Sequence, residues 1–94
     1  MVNPKYQEIL KLHAMLLDKD IPHEINRDID GWHIHYPCFG RERVLSAVEF
    51  RGTHGAEKDL IEIMGLTHND DSVEGYLTAD EVFARIKEHW EANK

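Results

Sequence analysis

Apolar residues at helical spacing open the chain. Asn3 suits the position just before a helix, and Pro4 suits the first position inside it. We expect this helix to continue to about Lys19, because residues three or four apart are then apolar or aromatic. They are Tyr6, Ile9, Leu10, His13, Leu16 and Leu17.

The clearest helix signal lies near the other end. Thr78 and Glu81 have the spacing of a capping box, in which each side chain bonds the backbone of the other. Leu77 and Val82 can pack across this helix start. The helix should run to about Glu91 with one apolar stripe. The stripe consists of Val82, Phe83, Ile86 and Trp90.

Between these helices the pattern alternates, which predicts strands. Ile25 and Ile29 belong to a first strand, and Asp30-Gly31 suits a hairpin turn. In the second strand Trp32, Ile34 and Tyr36 alternate with His33 and His35, so we expect rings on the core face and imidazoles on the other. A third strand covers 43–51. Its predicted inner residues are Val44, Val48 and Phe50, and its predicted outer residues are Arg43, Leu45, Ala47, Glu49 and Arg51.

A short acidic segment, 56–64, predicts a second helix that Gly65 ends, and 67–74 reads as a polar loop. The predicted fold is α+β. It has a three-stranded antiparallel sheet (meander) with an N-terminal helix and two C-terminal helices, in the order α-β-β-β-α-α, as one domain over 1–94.

Composition and charge reduce the number of possible functions. The 94 residues carry a net charge of −7, which disfavours a protein that coats nucleic acid. Cys38 is the one cysteine, and no stretch is long and apolar enough for a membrane, so we expect a cytoplasmic protein. A chain this small leaves apolar surface exposed, which favours a homodimer or a higher homo-oligomer.

The strongest candidate site is a glycine-bracketed loop next to three arginines. Backbone N–H groups of such a loop, together with a helix N-terminus, can bind phosphate. Arg51, Thr53 and His54 would donate hydrogen bonds, and aromatic rings would stack on a base. The predicted ligand-binding residues are Arg41, Arg43, Arg51, Gly52, Thr53, His54, Gly55, Tyr36 and Tyr76. The alternative is a tight turn without a ligand.

The sequence gives only weak signals for a metal site or a cysteine nucleophile. His33 and His35 project from one strand face, but two imidazoles do not make a metal site. Cys38 lacks a helix N-terminus that would activate its thiol. We therefore predict neither a cofactor nor a metal, and no catalytic residue.

Three segments carry a resemblance: 30–37 (DGWHIHYP), 57–66 (EKDLIEIMGL) and 71–83 (DSVEGYLTADEVF). In these the chain resembles small hypothetical proteins of phages and prophages of Gram-positive bacteria. The resemblance implies an accessory protein that acts against host defence, and it transfers no residue roles.

Two functions follow as hypotheses. The first is a non-catalytic phage sponge that sequesters a phosphate-bearing nucleotide immune signal, either a cyclic nucleotide or a molecule of the ADP-ribose type. The second is an acidic inhibitor that covers a basic surface of a host defence protein, as an anti-CRISPR-like mimic would. A nucleotide phosphodiesterase using His33, His35 and His54 ranks below both, because no paired catalytic motif accompanies them.

Overall fold

Two helices and one five-stranded sheet make up the described part of the fold. The structure is a computed structural model that describes residues 7–28, 31–38, 40, 42–50, 60–67 and 73–93. The strands pair antiparallel in chain order, so the sheet is a meander. The prediction of a three-stranded sheet in the order α-β-β-β-α-α is wrong; the order is α-β-β-β-β-β-α. The elements are α1 (Gln7–Asp18), β1 (Glu24–Asp28), β2 (Gly31–Tyr36), β3 (Leu45–Phe50), β4 (Ile61–Met64), β5 (Val73–Leu77) and α2 (Ala79–Ala92).

The two added strands replace the predicted second helix and polar loop. The end of the predicted helix is β4, in which Ile61 and Ile63 are fully buried while Met64 is exposed. This alternation has the period of a strand, and pairing with β3 and β5 overrides the local acidic helix signal. The end of the predicted loop belongs to β5, whose Val73 pairs with Met64.

The faces of β2 are predicted correctly, whereas those of β3 are reversed. Ile34 and Tyr36 are buried beneath the helices. Their partners on β3 are Ala47 and Leu45, which share that face and are also buried. Val48 therefore lies on the other face, opposite His33. Both faces of β3 hold apolar residues, so the sequence did not distinguish them, and a shift of one residue exchanges all side chains between faces.

The first hairpin is confirmed. Its last pair is Asp28 with Gly31, so Gly31 belongs to β2 and not to the turn, where the sequence placed it. The intervening residues 29–30 lie outside the described part of the chain, as do Asn3, Pro4 and Tyr6.

The inner side of α1 is offset from the prediction. Ile9, Leu12 and Leu16 are fully buried, whereas Leu10 and Leu17 are 37% and 57% exposed. The helix ends in a Schellman motif: Ile21 N–H donates to Leu16 O at 3.0 Å, and the preceding amide of Asp20 donates to Leu17 O at 3.1 Å. Asp20 takes the left-handed conformation that this motif requires (φ 55°).

The capping box of α2 is confirmed. Thr78 N–H donates to Glu81 Oε1 at 3.1 Å, and Glu81 N–H donates to Thr78 Oγ1 at 3.3 Å. A further cap comes from the other helix, since Glu8 Oε1 accepts a 2.8 Å hydrogen bond from Ala79 N–H. A carboxylate at a helix N-terminus also complements the helix dipole, so Glu8 ties α1 to the start of α2.

Neither α1 nor α2 is long and apolar enough to cross a bilayer, and no other helix occurs in the described residues.

Candidate functional site: the α2 groove

The predicted phosphate loop falls largely outside the described residues. Arg41 and residues 51–55 belong to this part of the chain. The predicted electrostatic support of this loop is a helix over 56–64, and the described end of that segment, 61–64, is a strand instead.

The remaining predicted ligand residues do not come together. Arg43 is exposed. Tyr36 is buried at 2% exposure, so its ring offers no open face to a base. Tyr76 is 53% exposed on β5. Because two strands separate β2 from β5, at about 4.8 Å for each step, the backbones of Tyr36 and Tyr76 lie more than roughly 14 Å apart.

The two β2 histidines lie side by side on the face of the sheet away from the helices. The rings of His33 and His35 meet edge to face with centroids 5.1 Å apart. Burial lowers the pKa of His35, and the neighbouring His33 and Arg43 lower it further, while Glu24 opposes them. Among the described residues, no group of three or more His, Cys, Asp or Glu side chains is arranged to hold a metal ion.

A second histidine pair joins α1 to the segment before β1. His23 Nδ1 lies 2.9 Å from Ile21 O, so it carries a proton, since a carbonyl only accepts. In neutral His23 the other nitrogen, Nε2, accepts from His13 Nδ1 at 2.8 Å. Burial and the adjacent His23 lower the pKa of His13. His13 is therefore a half-buried histidine that is held by its hydrogen bond to His23.

A concavity in the described structure lies beside the second half of α2, and we name it the α2 groove. Its volume is about 310 Å³, at the lower end of the range for small-molecule sites. One wall is the segment that follows β4, and the other is a lateral side of the helix. The lining residues are Leu66, Thr67, Arg85, Glu88, His89, Ala92 and Asn93.

A nearly buried ion pair holds one wall of the α2 groove. The Arg85 guanidinium donates to both carboxylate oxygens of Glu74 at 2.8 Å, with 9% and 19% of the two side chains exposed. Arg85 also reaches Leu66 O at 3.4 Å. The hydrogen bond to Glu74 raises the pKa of Arg85. Arg85 thus links α2, β5 and the segment after β4, with its charge compensated by Glu74.

A buried phenol orients the histidine of the groove. Tyr36 Oη lies 2.7 Å from His89 Nδ1, and the two rings meet at 88°. Burial raises the pKa of Tyr36, so the phenol stays protonated, and its O–H can donate a hydrogen bond to His89 Nδ1 when that nitrogen carries no proton. The proton of His89 is then on Nε2. Tyr36 therefore positions an imidazole donor in the lining of the groove, which is a different role from the predicted stacking.

The charges around the α2 groove do not favour a phosphate. Arg85 is neutralised by Glu74, and Glu88 is exposed on the lining. The groove also lies at the carboxyl end of α2, where the helix dipole is negative. These groups fit a neutral or cationic polar molecule better than an anion.

Sequence reasoning missed the groove residues for a physical reason. Arg85, Glu88, His89 and Ala92 recur at helical spacing beside the apolar stripe. This pattern is shared by every solvated helix flank, so the spacing alone carries little information. Only the approach of the 65–67 segment makes this flank concave.

Comparisons with protein-family models, with curated proteins and with solved structures found no match to this chain.

Proposed function

We propose that this chain is a non-catalytic binding protein that captures a small polar molecule in the α2 groove. The observation that supports it is that two side chains of the lining are held in place by partners, Arg85 by the nearly buried Glu74 and His89 by the buried Tyr36. Such preorganisation lowers the entropy lost on binding. The pair formed by Tyr36 and His89 orients a hydrogen-bonding group and includes no nucleophile, so the proposed function is binding without catalysis.

The chemical class of the ligand follows from the lining. His89 Nε2–H offers a hydrogen bond, while Glu88 favours a positive group. The apolar part, which includes Leu66 and Ala92, accommodates a flat or aliphatic body. A polar heterocycle or a small amine meets these demands.

The nucleotide-sponge hypothesis stays a prediction. Six of its nine proposed ligand residues lie outside the described residues, and the resemblance to phage proteins is its other support. Phosphate-bearing nucleotides therefore belong in the test as a competing class of ligand.

The test is a thermal-shift screen of the purified protein. The panel contains cyclic nucleotides, ADP-ribose-type molecules, free nucleobases and small amines. Ala92→Trp fills the groove from the last turn of α2, and Lys87→Trp is the control, because Lys87 is exposed on the same helix and lines neither the groove nor the neighbouring cavity beside Arg85 and Glu88. A ligand at 100 times its Kd adds about 2.7 kcal/mol to the free energy of unfolding.

We expect a ligand-induced shift that Ala92→Trp abolishes and Lys87→Trp keeps, with the ligand recovered unchanged. A shift that both variants keep would place the site elsewhere, and the Arg51→Ala/His54→Ala variant would then test the predicted phosphate loop. A cleaved product would overturn the non-catalytic assignment.

One observation favours the acidic inhibitor as a second candidate. The outer face of α2, a helix that the structure describes throughout, exposes four carboxylates and one lysine: Asp80, Glu81, Glu88, Glu91 and Lys87. Such a face complements a basic protein surface and accelerates association with it.

Charge reversal on this face distinguishes the two candidates. Glu81→Lys/Glu91→Lys should slow association with a basic host protein steeply, and added salt should slow the wild type in the same way. Neither residue lines the α2 groove. If the charge-reversal variant still binds the small molecule, and no protein partner associates in a salt-sensitive way, the inhibitor function is excluded.

A further inference from the structure

The outward side of α1 carries a second apolar stripe, separate from the stripe in the core. Leu10, Ala14 and Leu17 are all exposed, with 37% and 57% of the two leucines accessible. Their spacing of four and three residues places them on one side of the helix. An apolar stripe on the solvent side of a helix marks a surface suited to a partner helix.

We propose that this stripe is the contact through which two copies of the chain pair, with their α1 helices antiparallel across a two-fold axis. This interface is independent of the α2 groove and of the function assigned to it. The arrangement of the stripe and of the charges beside it favours a second copy over another partner.

The stripe is self-complementary. In an antiparallel pair centred on residue 14, Leu10 of one copy and Leu17 of the other lie four and three residues from the centre, so their heights along the helix differ by only about 1.5 Å and they contact each other. Ala14 then lies next to its own counterpart at the axis. A methyl group at that point allows the helix axes to approach to about 8–10 Å.

The flanking charges are complementary in the same arrangement. Lys11 and Asp18 lie on one side of the stripe. After the two-fold rotation, Lys11 of one copy and Asp18 of the other lie on the same side of the contact, and their heights along the helix differ by about 1.5 Å. Two symmetric ion pairs result. A parallel two-fold pair would instead place these charges on opposite sides of the contact, so the antiparallel pair is favoured.

Lys11 is available for this contact. Its ammonium lies 3.3 Å from Asp80 of its own chain, with 51% and 68% of the two side chains exposed. An exposed pair of this kind holds a lysine only weakly.

The contact is small. α1 spans 12 residues, or about 18 Å, so the helix pair alone buries less than the roughly 1,200 Å² of a standard interface. We therefore expect a dimer with a Kd in the micromolar to millimolar range.

Cysteine cross-linking tests the two-fold arrangement directly. In a Cys38→Ser background, Ala14→Cys should form a disulfide-linked dimer under mild oxidation, because the two Cβ atoms near the axis are close enough. Ala84→Cys, an exposed position on α2, is the matched control. Cross-linking at position 14 no faster than at position 84 would overturn the proposal.

Sedimentation equilibrium up to several hundred micromolar tests the association without cross-linking. The mean mass should rise above the 11.0 kDa of one chain towards twice that value. Leu17→Glu should keep the protein monomeric, whereas Met64→Glu, at an exposed apolar position on β4, should not. A wild type that stays monomeric, or association that Leu17→Glu leaves intact, would refute the contact.

A charge swap tests the direction of the helices. Lys11→Glu and Asp18→Lys should each weaken association about 2- to 30-fold, since two exposed pairs are lost per dimer, and the double variant should restore it. Failure of the double variant to recover would reject the antiparallel geometry.

Discussion

The ion pair of Arg85 and Glu74 should contribute more to stability than a surface ion pair does. Both side chains are nearly buried and joined by two hydrogen bonds of 2.8 Å. Arg85→Met removes both of these hydrogen bonds from the Glu74 carboxylate, and breaking a buried ion pair by removing one partner costs about 3–5 kcal/mol. At about 4–8 °C for each kcal/mol in a domain of this size, we expect the Tm to fall by at least roughly 12 °C.

Chemical denaturation of four proteins measures this cost: the wild type, Arg85→Met, Glu74→Leu and the double variant. The double variant should be much more stable than Arg85→Met, since it removes the stranded charge. Lys11→Met is the control, because its exposed pair with Asp80 contributes less than about 1 kcal/mol.

Two results would refute the reasoning. If Arg85→Met costs no more than Lys11→Met, the pair of Arg85 and Glu74 behaves as a surface pair. If the double variant is as unstable as Arg85→Met, the loss reflects the packing of the arginine stem rather than an uncompensated carboxylate.

Three further predictions concern the backbone and the histidines. Gly65→Ala should destabilise the protein more than Gly40→Ala in denaturant titrations. Both glycines have positive φ, but of the two only Gly65 has a backbone carbonyl that an added Cβ would overlap. Equal losses of unfolding free energy in the two variants would contradict this prediction. Asp20→Gly should raise the free energy of unfolding by about 0.5–1 kcal/mol, because glycine adopts the left-handed conformation without strain, and a lower Tm would count against it. The lowered pKa of His13 means that the unfolded chain binds its proton first, so stability is complete above about pH 6.5 and is lost as the pH falls through the folded pKa. Denaturation from pH 7.5 to 5 should show a shallower loss for His13→Asn, with a remainder from His35, and an unchanged slope would exclude His13.

Local chemistry was enough to predict the start of α2 and the faces of β2. The hydrogen bonds of the capping box formed by Thr78 and Glu81 join residues three apart, so no distant part of the chain is needed to form them. The alternation of Ile34 and Tyr36 with two histidines leaves one apolar face, and burial of that face follows.

Tertiary pairing decided the elements for which the local pattern was ambiguous. In β3, both parities contain apolar residues, and the register with β2 turned Leu45 and Ala47 inward. In β4, the local sequence around Ile61 and Ile63 fits a short helix as well as a strand. The segment is a strand because β3 and β5 provide hydrogen-bonding partners on both of its edges.

The candidate site shows the same division. The sequence by itself determined a small acidic α+β chain, a capped amphipathic final helix and a strand with two histidines on one face, because those properties depend on composition and on neighbours a few residues apart. Only the tertiary structure placed Tyr36 beneath His89 and Glu74 beside Arg85, at separations of 53 and 11 residues along the chain. A groove is a property of surfaces that meet, and the meeting of α2 with the segment after β4 depends on how the whole sheet pairs.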